Sequence, residues 1–369
     1  MPVCLFNPDI SGSGKIALYI NVRCHTTMTV ELDFIHELET KVREQLSAQR
    51  VGYLLGAGSS YLDGTGYPLA LEFWDRIKDC ITDIERRNEI QAKLDEGANG
   101  IEHALDLLDD GGPVEGPHRH LVAAAIAELF RPLVPSLDHH VEFVRRLAQR
   151  PDPSVKVFNL NYDPLIERAA EQGRVRLSDG FVGHEHAFFE PAMFEERIGR
   201  IRGTHRGRQF EETAKQIQLL KLHGSVGWYE CETNEIRRCA FTSTIPENTK
   251  RLMIPPQRRK ASDTMSSPYS ALWSMFRGAL GQDRVPINRL LCVGYGFADE
   301  HVNAVIENAL ARHDFTVLIL TKELSEAAWK RWSTKSNVIV VTEKRCSLKG
   351  NVGDGHCDLW DFQRIAKEV

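Results

Sequence analysis

Asn161 and Asp163 in FNLNYD (158–163) and His223 in LLKLHGS (219–225) are the side chains of this chain best placed to do chemistry. Each stands where an apolar, strand-like run gives way to small or polar residues. A carboxamide and a carboxylate two residues apart at a strand mouth face the same side and can read hydroxyls and amides. Asp163 equally suits the cap of a helix opening at Pro164. A histidine beside Gly224 and Ser225 is sterically open, and imidazole exchanges a proton near neutral pH.

Two glycine-rich segments accompany them. In LLGAGSS (54–60), Gly56, Ala57, Gly58, Ser59 and Ser60 form a strand–loop–helix turn in which glycines let the backbone approach a pyrophosphate. Tyr61 stands where the dinucleotide fingerprint has its last glycine, so this turn alone is weak support. In LLCVGYGFADEHVN (290–303), Gly294 and Gly296 again permit close approach. Asp299 and His301 follow as second-tier binding residues. Asp299 also reads as the N-cap of the next helix, and His301 as a residue on its exposed face. The pairs His118 with His120 and His139 with His140 read as helix-surface residues, without the carboxylates a metal site needs.

These segments need a scaffold that brings strand ends together. VGYLLG, SVKVFNLNYD, IQLLKLHGS, NRLLCVGYGF, FTVLILT and SNVIVVTEK read as strands of a parallel α/β sheet, with helices between them. Residues 30–49 carry Leu32, Ile35, Leu38, Val42 and Leu46 at helical spacing ahead of the first strand. The expected plan is a Rossmann-like core of 46–68, 151–176, 215–228 and 286–345, within a domain spanning 28–345. A helical insertion covers 69–150, and crevice-covering segments occupy 177–214 and 229–285, irregular apart from a helix over 269–280. Residues 1–27 read as an extension, a strand or an arm reaching a neighbouring subunit, and 346–369 as a C-terminal tail.

Composition sets the outer limits. Of 369 residues, 42% are hydrophobic and 26% charged, ordinary for a globular protein with a well-buried core. A net charge of −5 gives no basic footprint, so direct nucleic-acid binding is not expected. No apolar run approaches the roughly 20 residues that span a bilayer, and the N-terminus lacks a signal-peptide layout. The eight cysteines include no CxxC pair, which fits reduced thiols in a cytoplasmic protein and argues against structural zinc.

LLGAGSSYLDGTGYP, NLNYD, LKLHGS followed by Trp228, and GYGFADEHVN together resemble the sirtuin-like NAD-consuming domains of bacterial anti-phage defence systems, over about residues 50–345. The resemblance implies a sirtuin-type Rossmann-like fold and NAD+ as substrate. It places Gly56, Ala57, Gly58, Ser59 and Ser60, with Pro68 of the Gly-x-Pro element, on the nucleotide. It gives Asn161 the ribose and a water, Asp163 the nicotinamide amide, and His223 the general base. Three departures set the chain apart from protein-deacylating sirtuins. It lacks the zinc ribbon, Leu69-Ala70 replaces Asp-Phe-Arg after Pro68, and GYGF replaces the usual GTS-type strand end. The implied activity is therefore an NAD+ glycohydrolase without a metal, releasing nicotinamide and ADP-ribose. Its implied role is a toxic effector of abortive infection, homo-oligomeric and paired with a HerA-type ATPase or another sensor. The alternatives are a non-catalytic NAD or ADP-ribose-binding regulator of such an ATPase, and a protein deacylase.

Overall fold

The computed structural model describes residues 33–98, 100–108, 116–152, 154–204, 207–254 and 266–369. The expected extension 1–27 lies outside them. The first described element is helix α1, over 33–46. The strands of the first half are β1 (Val51–Leu55), β2 (Val155–Asn159), β3 (Leu177–Ser178), β4 (Phe181–Val182), β5 (Ala187–Phe189), β6 (Ile198–Thr204) and β7 (Gly207–Ala214). Those that follow are β8 (Ile217–Lys221), β9 (Gly224–Glu230), β10 (Ile236–Arg238), β11 (Lys250–Met253), β12 (Arg289–Val293), β13 (Thr316–Leu320), β14 (Val338–Val341), β15 (Arg345–Leu348) and β16 (Asn351–Asp354).

Among the described residues, the main sheet has nine strands in the order β16-β15-β14-β13-β12-β1-β2-β8-β3. Every neighbouring pair from β14 to β3 is parallel, and β15 and β16 add an antiparallel edge. From β1 the chain moves outward through β2 to the edge strand β3 and comes back one place to β8. It then returns to β12, on the other side of β1, and runs outward again through β13 and β14. The strand order thus reverses between β1 and β12, and connections leave their C-terminal ends in opposite directions. A crevice opens at such a switch point.

Both faces of this sheet are covered, so its strands are apolar almost throughout. Alternate residues serve separate cores. Leu290, Cys292, Val317, Ile319, Val338 and Val340 pack on one face. The opposite face takes Leu291, Val293, Leu318, Leu320, Ile339 and Val341. The first face is closed by α9 (Tyr269–Arg277), α10 (Glu300–Leu310) and α11 (Glu326–Trp332), through Trp273, Phe276, Ile306 and Trp332. The second is closed by α1, α7 (Asp138–Gln149), α8 (Leu165–Gly173) and α12 (Phe362–Ile365).

The helical stretch between β1 and β2 divides in two. Short α2 (Gly58–Tyr61) opens it. Then α3 (Phe73–Ile77), α4 (Ile84–Asp95), α5 (Gly100–Leu108) and α6 (Pro117–Phe130) build a third core around Phe73, Ile77, Leu105, Ile126 and Phe130. Helix α7 leaves that group and packs on the sheet through Val141, Phe143, Val144 and Leu147.

Two expectations change. Residues 177–214 and 229–285 were expected to be irregular apart from a helix over 269–280; that helix forms as α9, but β11-β9-β10-β5-β4 make a second sheet and β6-β7 a separate hairpin. Short strands interrupted by Gly, His and Arg carry too little apolar alternation to show in the sequence. Residues 346–369 are no tail: β15 and β16 extend the sheet, and Leu359, Phe362, Ile365, Ala366 and Val369 are buried in its core.

Candidate functional site

Both glycine turns end at the switch point and hold each other. Past β1, the Gly56 amide donates to the Val293 carbonyl at 3.0 Å and the Gly58 amide to the Gly294 carbonyl at 2.8 Å. A Cβ on Gly58 would sit 2.8 Å from Gly294 Cα, and one on Gly56 2.6 Å from Tyr295 Cα. Gly294 has φ +65° and would place a Cβ 2.3 Å from the Ser59 nitrogen. These three glycines therefore serve the crossing of two backbones. Gly296 differs, because a Cβ there meets nothing within 4 Å.

Asn161 ties β2 to the first turn. Its carboxamide nitrogen donates to the Gly56 carbonyl (2.9 Å), Ser60 Oγ (2.8 Å) and Ser59 Oγ (3.2 Å). Ser59 Oγ in turn donates to the Gly56 carbonyl at 2.8 Å. Asp163 stands where β2 leads into α8. Its Oδ1 accepts the Leu165 amide at 3.0 Å, capping α8, while the carboxyl lines the cavity described below. Burial pushes that carboxyl above the usual carboxylate range, opposed by Lys221 and by hydrogen bonds from Leu165 and Ser60.

Behind Asp163 lies a pair that sequence reasoning missed. Lys221, fully buried at the end of β8, donates to the Asp163 carbonyl and meets Glu167 Oε1 at 3.0 Å. A lysine inside the apolar run LLKL was the available signal, since a buried ammonium demands a partner.

His223 lies between β8 and β9. Its carbonyl accepts the Ile254 amide at 2.9 Å, and Gly224 turns the chain with φ +78°. Its ring lies 6.4 Å from that of Trp273, tilted by 30°. Nε2 is 3.0 Å from Asp299 Oδ2, and both side chains are buried. Asp299 is also the N-cap of α10, as its position suggested: Oδ1 accepts the amides of His301 (3.0 Å) and Val302 (3.4 Å). Tyr295, quoted in GYGF but assigned no role from sequence, clamps this corner. Its hydroxyl contacts the Asp299 carbonyl (3.1 Å) and Asn303 Oδ1 (3.2 Å), and accepts the Asp299 amide (3.2 Å).

A cavity of about 240 Å³ gathers most of these groups: Gly56, Ala57, Ser60, Pro68, Asn161, Asp163, His223, Gly294, Gly296 and Asp299 all line it. Its remaining wall is largely apolar, with Tyr67, Phe73 and Phe130 supplied by the helical segment. Ala57, Ala70, Gly294 and Gly296 also border a second cavity of about 980 Å³, which Gly58 lines and which extends over the ends of β13 and β14 to Trp360. Ser59 is buried in the turn behind the cavity, and His301 sits half-buried on α10 outside both linings.

Two readings of histidines need correction. His140 and His118 are buried, not surface residues. His140 packs against Phe362 with ring centroids 4.5 Å apart. Burial, the neighbouring His139 charge and an opposing backbone hydrogen bond at Ser59 leave its pKa lowered to about 3. As for metals, the six described cysteines are free, and no zinc ribbon forms among the described residues. His356, Cys357 and Asp358 lie within 4.8 Å of one another. However, His356 Nδ1 already accepts the Asp358 and Leu359 amides (3.3 and 3.1 Å), and its Nε2 faces Glu39. Among the described residues, no helix is long and apolar enough to cross a membrane.

A parallel sheet with a crevice at its switch point, lined by Asn161, Asp163 and His223, defines an α/β protein of the doubly wound, Rossmann-like class. A family model described as SIR2-like domain matches residues 155–340, half of the chain, and the protein belongs to this SIR2-like family. No curated protein matches by sequence. Among solved structures, the chain is similar to a Sir2 homologue in complex with NAD, at 13% identity over 77% of this chain and 83% of that one, TM-score 0.39. It is likewise similar to a serine-to-alanine variant of a Sir2 homologue with ADP-ribose, at 10% identity over 89% and 95%, TM-score 0.42. A triple variant complexed with 2′-O-acetyl ADP-ribose matches at 12% over 75% and 82%, TM-score 0.37.

Proposed function

We propose that the protein is an NAD+ glycohydrolase. The observation that carries this reading is the convergence of Asn161, Asp163 and His223, from adjacent strand ends, on one largely apolar cavity beside the Gly56–Ser60 turn. The two adjoining cavities offer room for a two-part ligand whose waist lies over Ala57, Gly294 and Gly296. In this reading the nicotinamide end occupies the smaller cavity and the adenosine end the larger.

The chemistry follows from the lining. Loss of nicotinamide breaks the bond to ribose C1′ and builds oxocarbenium character there. Tyr67, Phe73 and Phe130 limit water around that centre. The Asn161 nitrogen is committed to the turn, so its Oδ1 is the atom that addresses a ribose hydroxyl or the attacking water. Asp163 addresses the nicotinamide amide. As water adds to C1′, its proton passes to His223, giving nicotinamide, ADP-ribose and one proton. The motif resemblance supports a larger role: a homo-oligomeric effector that depletes NAD+ in anti-phage defence, held in check by a partner such as a HerA-type ATPase.

The test is incubation of the purified protein, alone and with the product of a neighbouring gene, with NAD+, followed by quantification of nicotinamide and ADP-ribose. His223→Ala is expected to lower turnover by about 10²–10⁴-fold. Tight NAD+ binding without turnover would favour the regulator instead.

A further inference from the structure

We infer that Asp299 is a positioning residue for His223, fixing the tautomer and orientation of its ring; this rests on the hydrolase reading of the same cavity. Sequence placed Asp299 among nucleotide-binding residues and as a helix cap. The geometry gives it a third task. Its amide and carbonyl are held by the Tyr295 hydroxyl at 3.2 and 3.1 Å, and Oδ1 is engaged by the start of α10. Tyr295 is itself fixed through Asn303, whose Nδ2 donates to the Phe297 carbonyl at 3.0 Å. An aspartate held at its backbone amide and carbonyl, with Oδ1 capping a helix, has little freedom to follow a ligand. Its other oxygen, Oδ2, lies 3.0 Å from His223 Nε2, within ion-pair reach, with both residues buried.

A neutral imidazole carries its proton on one nitrogen, and a carboxylate within ion-pair reach of Nε2 favours the tautomer protonated there. With the proton on Nε2 facing Asp299, the basic lone pair falls on Nδ1. When His223 takes the proton from water, the resulting imidazolium lies against a carboxylate already in place, which stabilises the charge without reorganisation. Other titratable groups bear on this ring. Asp163, Tyr67, Tyr162 and Tyr295 line the cavity, Lys221 at the end of β8 pairs with Glu167 of α8, and His301 follows Asp299 on α10.

Asp299→Asn separates the roles, because asparagine also caps helices and keeps the side-chain shape while removing the charge. The inference predicts a kcat for NAD+ cleavage lower by about 10²–10⁴-fold with KM little changed. It also predicts that the acid limb of the pH profile moves about one pH unit lower, because the cationic ring loses its counter-charge. Asp299→Glu should recover part of the rate. A residue that merely supports α10 would reduce activity without moving the limb, and that result, or an unchanged kcat, overturns the inference. A second readout does not depend on turnover. The imidazole resonance of His223, assigned by its absence in His223→Gln, should titrate at lower pH in Asp299→Asn than in the wild type. Equal midpoints overturn the inference. A wild type that releases no nicotinamide contradicts the hydrolase reading instead, and the resonance midpoints then judge the Asp299–His223 pair alone.

Discussion

Glycine at positions 58 and 296 answers two different demands. Gly58 has Gly294 Cα 2.8 Å from where its Cβ would be, whereas Gly296 has open space on the cavity side. Gly58→Ala should therefore cost about 1–3 kcal/mol of stability, the usual range for forcing a methyl into packed backbone, measured by urea unfolding. Gly296→Val should leave the unfolding midpoint nearly unchanged and abolish NAD+ binding in calorimetry. Equal stability losses would show that both glycines serve packing alone. Asn161 and His223 were legible because polar side chains ending apolar strands are conspicuous. The reasons for the glycines were not, because sequence cannot show two turns 235 residues and more apart crossing at contact distance. The same limit hid the reach of Asp299 to His223 and the service of Lys221 to Asp163.

Helix α7 shows what an element adds. The run His140, Val144, Leu147 falls on one helical face, so the pattern that buries Val144 also buries His140. Reading the His139–His140 pair as surface residues overlooked that spacing. The consequence is measurable. The ordinary histidine value is 6.5, and in the folded protein burial holds His140 at about 3. Between these values the unfolded chain binds a proton that the native state does not, so stability falls as pH falls below about 6.5. The slope approaches about 1.4 kcal/mol per pH unit, or about 2 kcal/mol lost by pH 5. In His140→Gln that component vanishes, so the gap between variant and wild type in urea unfolding should narrow by this amount from pH 7.5 to pH 5. A gap independent of pH would contradict the buried, neutral assignment. The short strands β3 to β5 taught the converse lesson: elements of two or three residues leave no periodicity to read.

Across the whole molecule, the parallel core was legible because its strands are doubly buried and therefore almost uninterruptedly apolar. The closing edge was not, since RCSL and NVGD are short and polar and gain their place only by pairing with β14 and with each other. Truncation after residue 355 removes Leu359, Phe362, Ile365 and Val369 from the core beside α7. At about 1.5–3 kcal/mol for each large side chain, this approaches the whole stability of a typical domain. The shortened chain should be insoluble or lack a cooperative unfolding transition, and a well-folded product would return these residues to the status of a tail. The topology also explains why one cavity gathers the chemistry: reversal of strand order beside β1 leaves the ends of β1, β2, β8 and β12 around a single opening. The proposed function rests on what that opening does to NAD+. The most direct measurement is release of nicotinamide and ADP-ribose from NAD+ by the purified protein, with and without the proposed partner, set against His223→Ala. Stoichiometric release of both products by the wild type, reduced about 10²–10⁴-fold in the variant, is the predicted result. No release in either state, or undiminished release by His223→Ala, would contradict it.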